Sequence, residues 1–147
     1  MKIYFDACCL NRPFDALYKG QARLEAEAIS ILLEQCESGN FEMVSGDFLR
    51  FELSLISDVV KRNATLELES LHHHFIALDD SIIERGKDLE KESIAQADAL
   101  HLATAEKAGV DFFLSTDYKL LKKASDIGFS FKVMNPLNLA IRELGYE

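Results

Sequence analysis

Two acids of this chain directly follow strongly apolar segments, where a charge adds little to folding. Asp6 ends the apolar run IYF, and Asp117 ends the run FFLSTD. Both runs are typical of buried strands. In an open parallel sheet, ligands bind at the edge where the strands end. We therefore expect Asp6 and Asp117 to lie at that edge and to be available for chemistry.

Two further acids interrupt the apolar stripes of predicted helices. Glu52 lies four residues after Phe48 and four before Ile56, and Asp98 stands in the same relation to apolar residues on either side. Residues four apart lie on one face of a helix, so each acid should point toward the body of the protein. A buried carboxylate needs a partner, because its desolvation is costly.

The four acids would repel one another if they converged. At an effective dielectric of about 20, two carboxylates about 5 Å apart repel by roughly 3 kcal/mol, so the cluster would need a proton or a cation. Carboxylate oxygens favour a hard divalent ion such as Mg²⁺ or Mn²⁺. Taken singly, an acid at a strand end also fits a helix cap or a surface turn, and the sequence leaves both interpretations open.

Strands and helices alternate along the chain. Strands are predicted at 2–6, 41–45, 111–115 and 131–134, with a short apolar segment at 75–78, and helices at 21–37, 47–62, 65–74, 79–92, 95–108, 118–127 and 137–144. This alternation predicts right-handed crossovers and a parallel sheet covered on both sides, an α/β three-layer sandwich. We interpret residues 1–147 as a single domain.

Composition excludes several classes of protein. With 147 residues, 48% of them hydrophobic, the chain can bury a core without disulfides, which excludes disordered chains and miniature scaffolds. The three cysteines form neither a disulfide framework nor a zinc spacing. No apolar run approaches a bilayer span and no signal pattern opens the chain, so we expect a soluble, cytoplasmic protein. The net charge of −9 does not decide the partner, because both ends are mildly basic and the middle is acidic.

At this point the residues resemble the PIN domain, the metal-dependent ribonuclease fold of the VapC toxins. The matching positions, in order and spacing, are Asp6, Glu52 in VSGDFLRFEL, Asp98 in ADALHLATA and Asp117 in STD. The most specific part is LDDSIIERGKDLEKESIAQADALHLATAEKAG, with DFFLSTD after it. The opening DACCLNRPFD is similar to one branch of the family, since Ala7 stands where most of these toxins have Ser or Thr.

The resemblance implies a five-stranded parallel sheet in the order 3-2-1-4-5, with the first and fourth strands side by side. It also implies a Mg²⁺- or Mn²⁺-dependent endoribonuclease, in which Asp6, Glu52, Asp98 and Asp117 hold the metal and an activated water attacks the phosphodiester. The implied partners are an RNA substrate, an antitoxin protein, and a second copy in a homodimer.

Four residues are candidates for binding RNA. Ser115 could hydrogen-bond an aspartate or a phosphate oxygen, Arg12 could grip a phosphate bidentately, and Lys119 and Lys122 could track the backbone. Arg12 equally fits a surface loop, and the lysines equally fit a solvated helix face.

One departure from the family pattern supports a different function. Many members carry a further acid shortly after the last aspartate, where this chain has Tyr118, Lys119 and Leu120. This argues against a second metal site and favours a non-catalytic module that binds RNA or a protein partner without cleavage. We interpret His101 as a core histidine or one that contacts a metal ligand, and Cys8 and Cys9 as small packing residues.

Overall fold

A computed structural model of the chain describes residues 1–15 and 20–145. Its centre is a sheet of five parallel strands in the order β3-β2-β1-β4-β5, as predicted. The strands are β1 (Lys2–Phe5), β2 (Glu42–Gly46), β3 (His74–Ile76), β4 (Phe112–Leu114) and β5 (Lys132–Met134). Strands β2 and β3 therefore lie on one side of β1, and β4 and β5 lie on its other side.

Helices surround the sheet. They are α1 (Ala7–Asn11), α2 (Gly20–Glu37), α3 (Asp47–Ser54), α4 (Val59–Glu69), α5 (Asp80–Lys91), α6 (Gln96–Ala108), α7 (Tyr118–Ile127) and α8 (Pro136–Leu144), with a 3-10 turn at Arg12–Phe14. Ile3, Tyr4 and Phe5 are all fully buried. Because successive strand residues point to opposite faces, both faces of β1 are covered. No helix within the described ranges is long and apolar enough to cross a bilayer.

The predicted helix at 47–62 is wrong, because the structure has two helices there. The first ends at Ser54, and the side chain of Asp58 accepts a hydrogen bond from the Lys61 amide to cap the start of α4. Aspartate at an N-cap satisfies an otherwise unpaired amide, so the cap competes with a continuous helix. The predicted helix at 65–74 is the second half of α4, which ends at Glu69.

Gly46 lies at the point where β2 becomes α3. It is the last residue of β2 and the N-cap of α3, and an added Cβ would lie 2.8 Å from the Ile76 carbonyl oxygen and 3.1 Å from Thr104 Cγ2. The first of these atoms is backbone and cannot rotate away. The absence of a side chain here lets β3 approach closely.

We expect Gly46→Ala to lower the free energy of unfolding by about 1–3 kcal/mol, since the new methyl group must push β3 away. Thermal melts measure this as a fall in Tm of several degrees. The matched control is Glu34→Ala on an exposed face of α2, which should change stability by less than about 0.5 kcal/mol. Equal melting of the two variants would show that β3 accommodates the methyl group.

Candidate metal centre

Asp6 is the best-positioned acid of the candidate site. It follows β1, is buried, and its backbone amide donates to the Leu114 carbonyl at 2.9 Å. Its Oδ1 accepts a hydrogen bond from the Ala7 amide at 2.8 Å, and its Oδ2 accepts one from Ser115 Oγ at 3.1 Å. The pairing of β1 with β4 brings Ser115 to this position. Both carboxylate oxygens are therefore held in fixed directions.

Glu52 and Asp6 meet at one ring nitrogen of His101. The Nε2 atom lies 2.9 Å from Glu52 Oε1 and 3.7 Å from Asp6 Oδ1. Ligand atoms of the three residues all lie within 4.8 Å of one another. Asp6 and Glu52 are 46 positions apart in the sequence. The fold brings them together because α1 and α3 begin at the carboxyl ends of the neighbouring strands β1 and β2.

Tyr4 fixes the orientation of the His101 ring. Its hydroxyl lies 2.6 Å from Nδ1, and the edge of the Phe48 ring packs on the imidazole with centroids 4.9 Å apart. Burial, together with the charges of Asp6 and Glu52, raises the pKa of Tyr4, so the hydroxyl keeps its proton. When the imidazole is neutral, Nδ1 accepts a hydrogen bond from this hydroxyl and Nε2 donates one to Glu52.

The acids of the site act on the pKa of His101. Burial acts to lower this pKa, but the hydrogen bond to Glu52 and the charges of Asp6, Glu52 and Asp98 outweigh burial, so the pKa is raised. A proton on the ring would offset part of the repulsion between Asp6 and Glu52.

Asp98 lies in the same electrostatic environment from the first turn of α6. It is half-buried, and its pKa is raised to about 6 by burial and by the charge of Asp6, with smaller contributions from Asp117 and Glu52 and an opposing one from His101. The other three predicted acids thus all influence this carboxyl group. Asp98 does not belong to the tight group formed by Asp6, Glu52 and His101.

Asp117 is exposed and serves as the N-cap of α7. Its Oδ1 accepts hydrogen bonds from the amides of Lys119, at 3.0 Å, and Leu120, at 3.2 Å. Its own amide donates to Ser115 Oγ at 3.1 Å, which connects it to Asp6 through one hydroxyl. The structure therefore places Asp117 beside the tight group, with one oxygen engaged in capping.

The predicted RNA contacts lie in different surroundings. Ser115 is buried between Asp6 and the Asp117 amide, whereas Lys119 and Lys122 are exposed on α7. The Arg12 guanidinium is held by the carboxylates of two other residues, Asp15 at 3.3 Å and Glu25 at 3.4 Å.

Sequence reasoning misses two contacts of the site. The interpretation of His101 as a core histidine or one that contacts a metal ligand agrees with its burial and its contact with Glu52, but the sequence does not predict that one ring nitrogen faces both Asp6 and Glu52. Its position one helical turn after Asp98 is the available signal. Cys8 is interpreted as a packing residue, yet its Sγ lies 3.4 Å from both Asp6 Oδ2 and Ser115 Oγ. No pattern in the sequence indicates that contact.

Two solved structures are similar to the chain in fold. One is the 2.2 Å structure of VapBC-1 from nontypeable Haemophilus influenzae, with a TM-score of 0.58 and 15% identity over 92% of this chain and 98% of that chain. The other is VapBC2 from Rickettsia felis bound to a DNA fragment from their promoter, with a TM-score of 0.56 and 10% identity over the same shares. No family model and no curated protein matches the sequence.

At these identities the likeness shows the fold alone. Together with the strand order, it confirms the PIN-like α/β architecture that the sequence predicted. The resemblance to VapC toxins is thus confirmed for the fold. The evidence for a metal site comes from the arrangement of the acids and His101.

We expect Asp98→Asn to stabilise the metal-free protein at pH 7.5 but not near pH 4. The folded state raises the pKa of Asp98 to about 6 from an ordinary value near 4, so it binds the proton more tightly than the unfolded state. Stability is therefore lost as the pH rises through this window. Water screens the half-exposed carboxyl, so we expect about 1 kcal/mol, or about 2–4 °C in Tm.

Melts in EDTA at the two pH values measure this difference. Asp88→Asn, an exposed acid on α5, is the matched control and should show little change at either pH. A Tm difference between Asp98→Asn and the unmodified chain that is the same at both pH values would contradict a raised pKa.

Proposed function

We propose that the protein is a metal-dependent endoribonuclease that hydrolyses RNA phosphodiester bonds. The observation that carries the proposal is the meeting of Asp6 and Glu52 at His101 Nε2, where the strands of a PIN-like sheet end. The metal would be held by Asp6, Glu52, Asp98 and Asp117, directly or through water.

The residues present fit a divalent ion. Asp6 and Glu52 offer hard oxygen donors, which suit Mg²⁺ and Mn²⁺, and the imidazole nitrogen of His101 suits Mn²⁺ better than Mg²⁺. When bound, the ion would lower the pKa of a water molecule and offset charge on the phosphate. The hydrogen bonds from Ala7 and Ser115 hold Asp6 in place for this role, and His101 does the same for Glu52.

Asp98 would help to hold the ion from the first turn of α6, where the charge of Asp6 acts on its carboxyl group. Ser115 would hold Asp6 and Asp117 in register around the ion.

We propose single-stranded or looped RNA as the substrate, since its phosphates and unstacked bases enter a shallow acidic site more easily than a stiff duplex does. Lys119 and Lys122 are exposed beside Asp117 and would track the backbone. Arg12 would exchange its contact with Asp15 for a phosphate oxygen. The two similar structures are VapBC assemblies, which supports an antitoxin protein as partner, and we also propose a homodimer.

A second candidate function is a module that binds RNA or a protein without cutting. Two observations favour it: one oxygen of Asp117 is engaged in capping α7, and the raised pKa of His101 favours a proton there that would offset part of the charge of Asp6 and Glu52 without an ion. The lack of a further acid after Asp117 points the same way. The two functions differ in whether Mn²⁺ stabilises the folded protein and supports cleavage of RNA.

We expect Asp6→Asn to reduce Mn²⁺-dependent cleavage of single-stranded RNA at least a hundredfold, because the amide removes a negative ligand. Gel assays with a labelled oligonucleotide measure the rate. The melt without metal should stay nearly unchanged, since the amide keeps the shape of the side chain. The matched control is Asp126→Asn, an exposed acid on α7, which should cleave normally. An Asp6→Asn variant that cuts at the normal rate would remove Asp6 from the mechanism.

The same two variants separate the candidate functions. At about 100 times its dissociation constant, a ligand that binds only the folded state adds about 2.7 kcal/mol. Mn²⁺ should therefore raise the Tm of the unmodified chain by several degrees, and of Asp126→Asn equally, but not of Asp6→Asn. A binding-only module would show neither a Tm shift nor turnover.

The double variant Lys119→Ala/Lys122→Ala should bind RNA more weakly and with less dependence on salt. Each lysine that no longer neutralises a phosphate reduces the slope of log K against log salt by about 0.7 for a single strand. Fluorescence anisotropy at several salt concentrations measures the slope, with Lys91→Ala on α5 as the control. An unchanged slope would return both lysines to the role of solvated surface residues.

A further inference from the structure

An apolar groove lies between α3 and the pair α5 and α6. Its volume is about 560 Å³, within the range of about 300–1,000 Å³ that is usual for small-molecule sites. Phe48, Phe51, Leu78, Ile83 and Leu100 form its apolar lining. Neither the predicted metal ligands nor the predicted RNA contacts line this groove.

The groove begins where the metal centre ends. Phe48 belongs to both, because its ring packs edge-on against His101 with centroids 4.9 Å apart and lies 6.4 Å from the ring of Phe51. Each wall also continues a helix of the site, since Phe51 directly precedes Glu52 in α3 and Leu100 directly precedes His101 in α6. Phe48 thus connects the groove to the histidine that contacts the acids.

The chemistry of the groove suits a flat, apolar ring with a polar edge. Phe51 is 55% exposed, an aromatic face that no part of the described chain covers. Polar residues accompany the apolar lining, namely Asp47, Lys87, Glu90 and Gln96, which include both donors and acceptors. The Asp47 carboxylate also accepts a hydrogen bond from the Leu78 amide at 2.8 Å, which fixes one wall.

We propose that this groove is a nucleobase subsite, in which a base next to the scissile phosphate stacks on Phe51. The proposal rests on the function proposed above, because the phosphate at the metal centre delivers the base. Single-stranded nucleic acids bind proteins through such aromatic faces, and the base edge meets polar side chains. Lys87, Glu90 and Gln96 would then select among bases.

Phe51→Leu tests the stacking face while it keeps an apolar side chain. We expect it to weaken binding of a single-stranded RNA about tenfold, measured by anisotropy in Mn²⁺ with an oligonucleotide whose backbone resists hydrolysis, so that no cleavage occurs. The matched control is Tyr118→Leu. Tyr118 is also 55% exposed and directly follows a candidate acid, but it lies outside the groove. Tyr118→Leu should bind within twofold of the unmodified chain, and equal weakening of both variants would overturn the subsite.

A fluorescent reporter tests whether the contact is with a base. The chain has no tryptophan, so Phe51→Trp introduces a single indole in the groove, and Tyr118→Trp introduces one outside it. Intact RNA should quench the Phe51→Trp emission, and an abasic oligonucleotide of equal length should not. Quenching by both ligands, or only at position 118, would contradict stacking in the groove.

The outcomes separate this subsite from the function on which it rests. Metal-dependent cleavage with equal binding of intact and abasic strands would overturn the subsite and leave the nuclease. Base-dependent quenching without cleavage would keep the subsite and overturn the nuclease. If Phe51→Leu changes the mass measured by light scattering and leaves RNA affinity unchanged, the groove is covered by a second copy and not by a base.

Discussion

Repulsion between like charges is the constraint on which the candidate site depends. Asp6 and Glu52 approach the same imidazole nitrogen, and no core could hold two bare carboxylates so close without a compensating charge. The acids raise the pKa of His101 and of Asp98, so that bound protons can offset part of this repulsion. A divalent ion would supply further positive charge.

The fold produces this closeness by its strand order. The strands β1 and β4 are parallel neighbours at the point where the strand order switches from one side of the sheet to the other. Asp6 and Ser115, which follow these two strands, therefore lie side by side. Glu52 comes from the helix after β2, and Gly46 is the N-cap of that helix. His101 reaches the same place from α6. The site thus joins segments that are far apart in the sequence at a single edge.

Much of this arrangement was predictable. The alternation of strands and helices and the resemblance to PIN domains were sufficient for the strand order, and Asp6 was identified by its place after an apolar run. The break between α3 and α4 was not predicted, because Asp58 as an N-cap competes with a locally helical pattern. The apolar stripe predicted on both sides of Glu52 is consequently present only in part, since Ile56 lies beyond the end of α3. The contact between His101 and both acids depends on tertiary packing, which periodicity does not encode.

Helix α3 has only eight residues, yet it presents Phe48 and Phe51 to the groove and Glu52 to the acids. A displacement of this helix as one piece by a ligand in the groove would also displace the carboxylate. Occupancy of the proposed subsite and affinity for the proposed ion would then be thermodynamically linked. Whatever free energy one ligand contributed to the binding of the other, the second would contribute equally to the binding of the first.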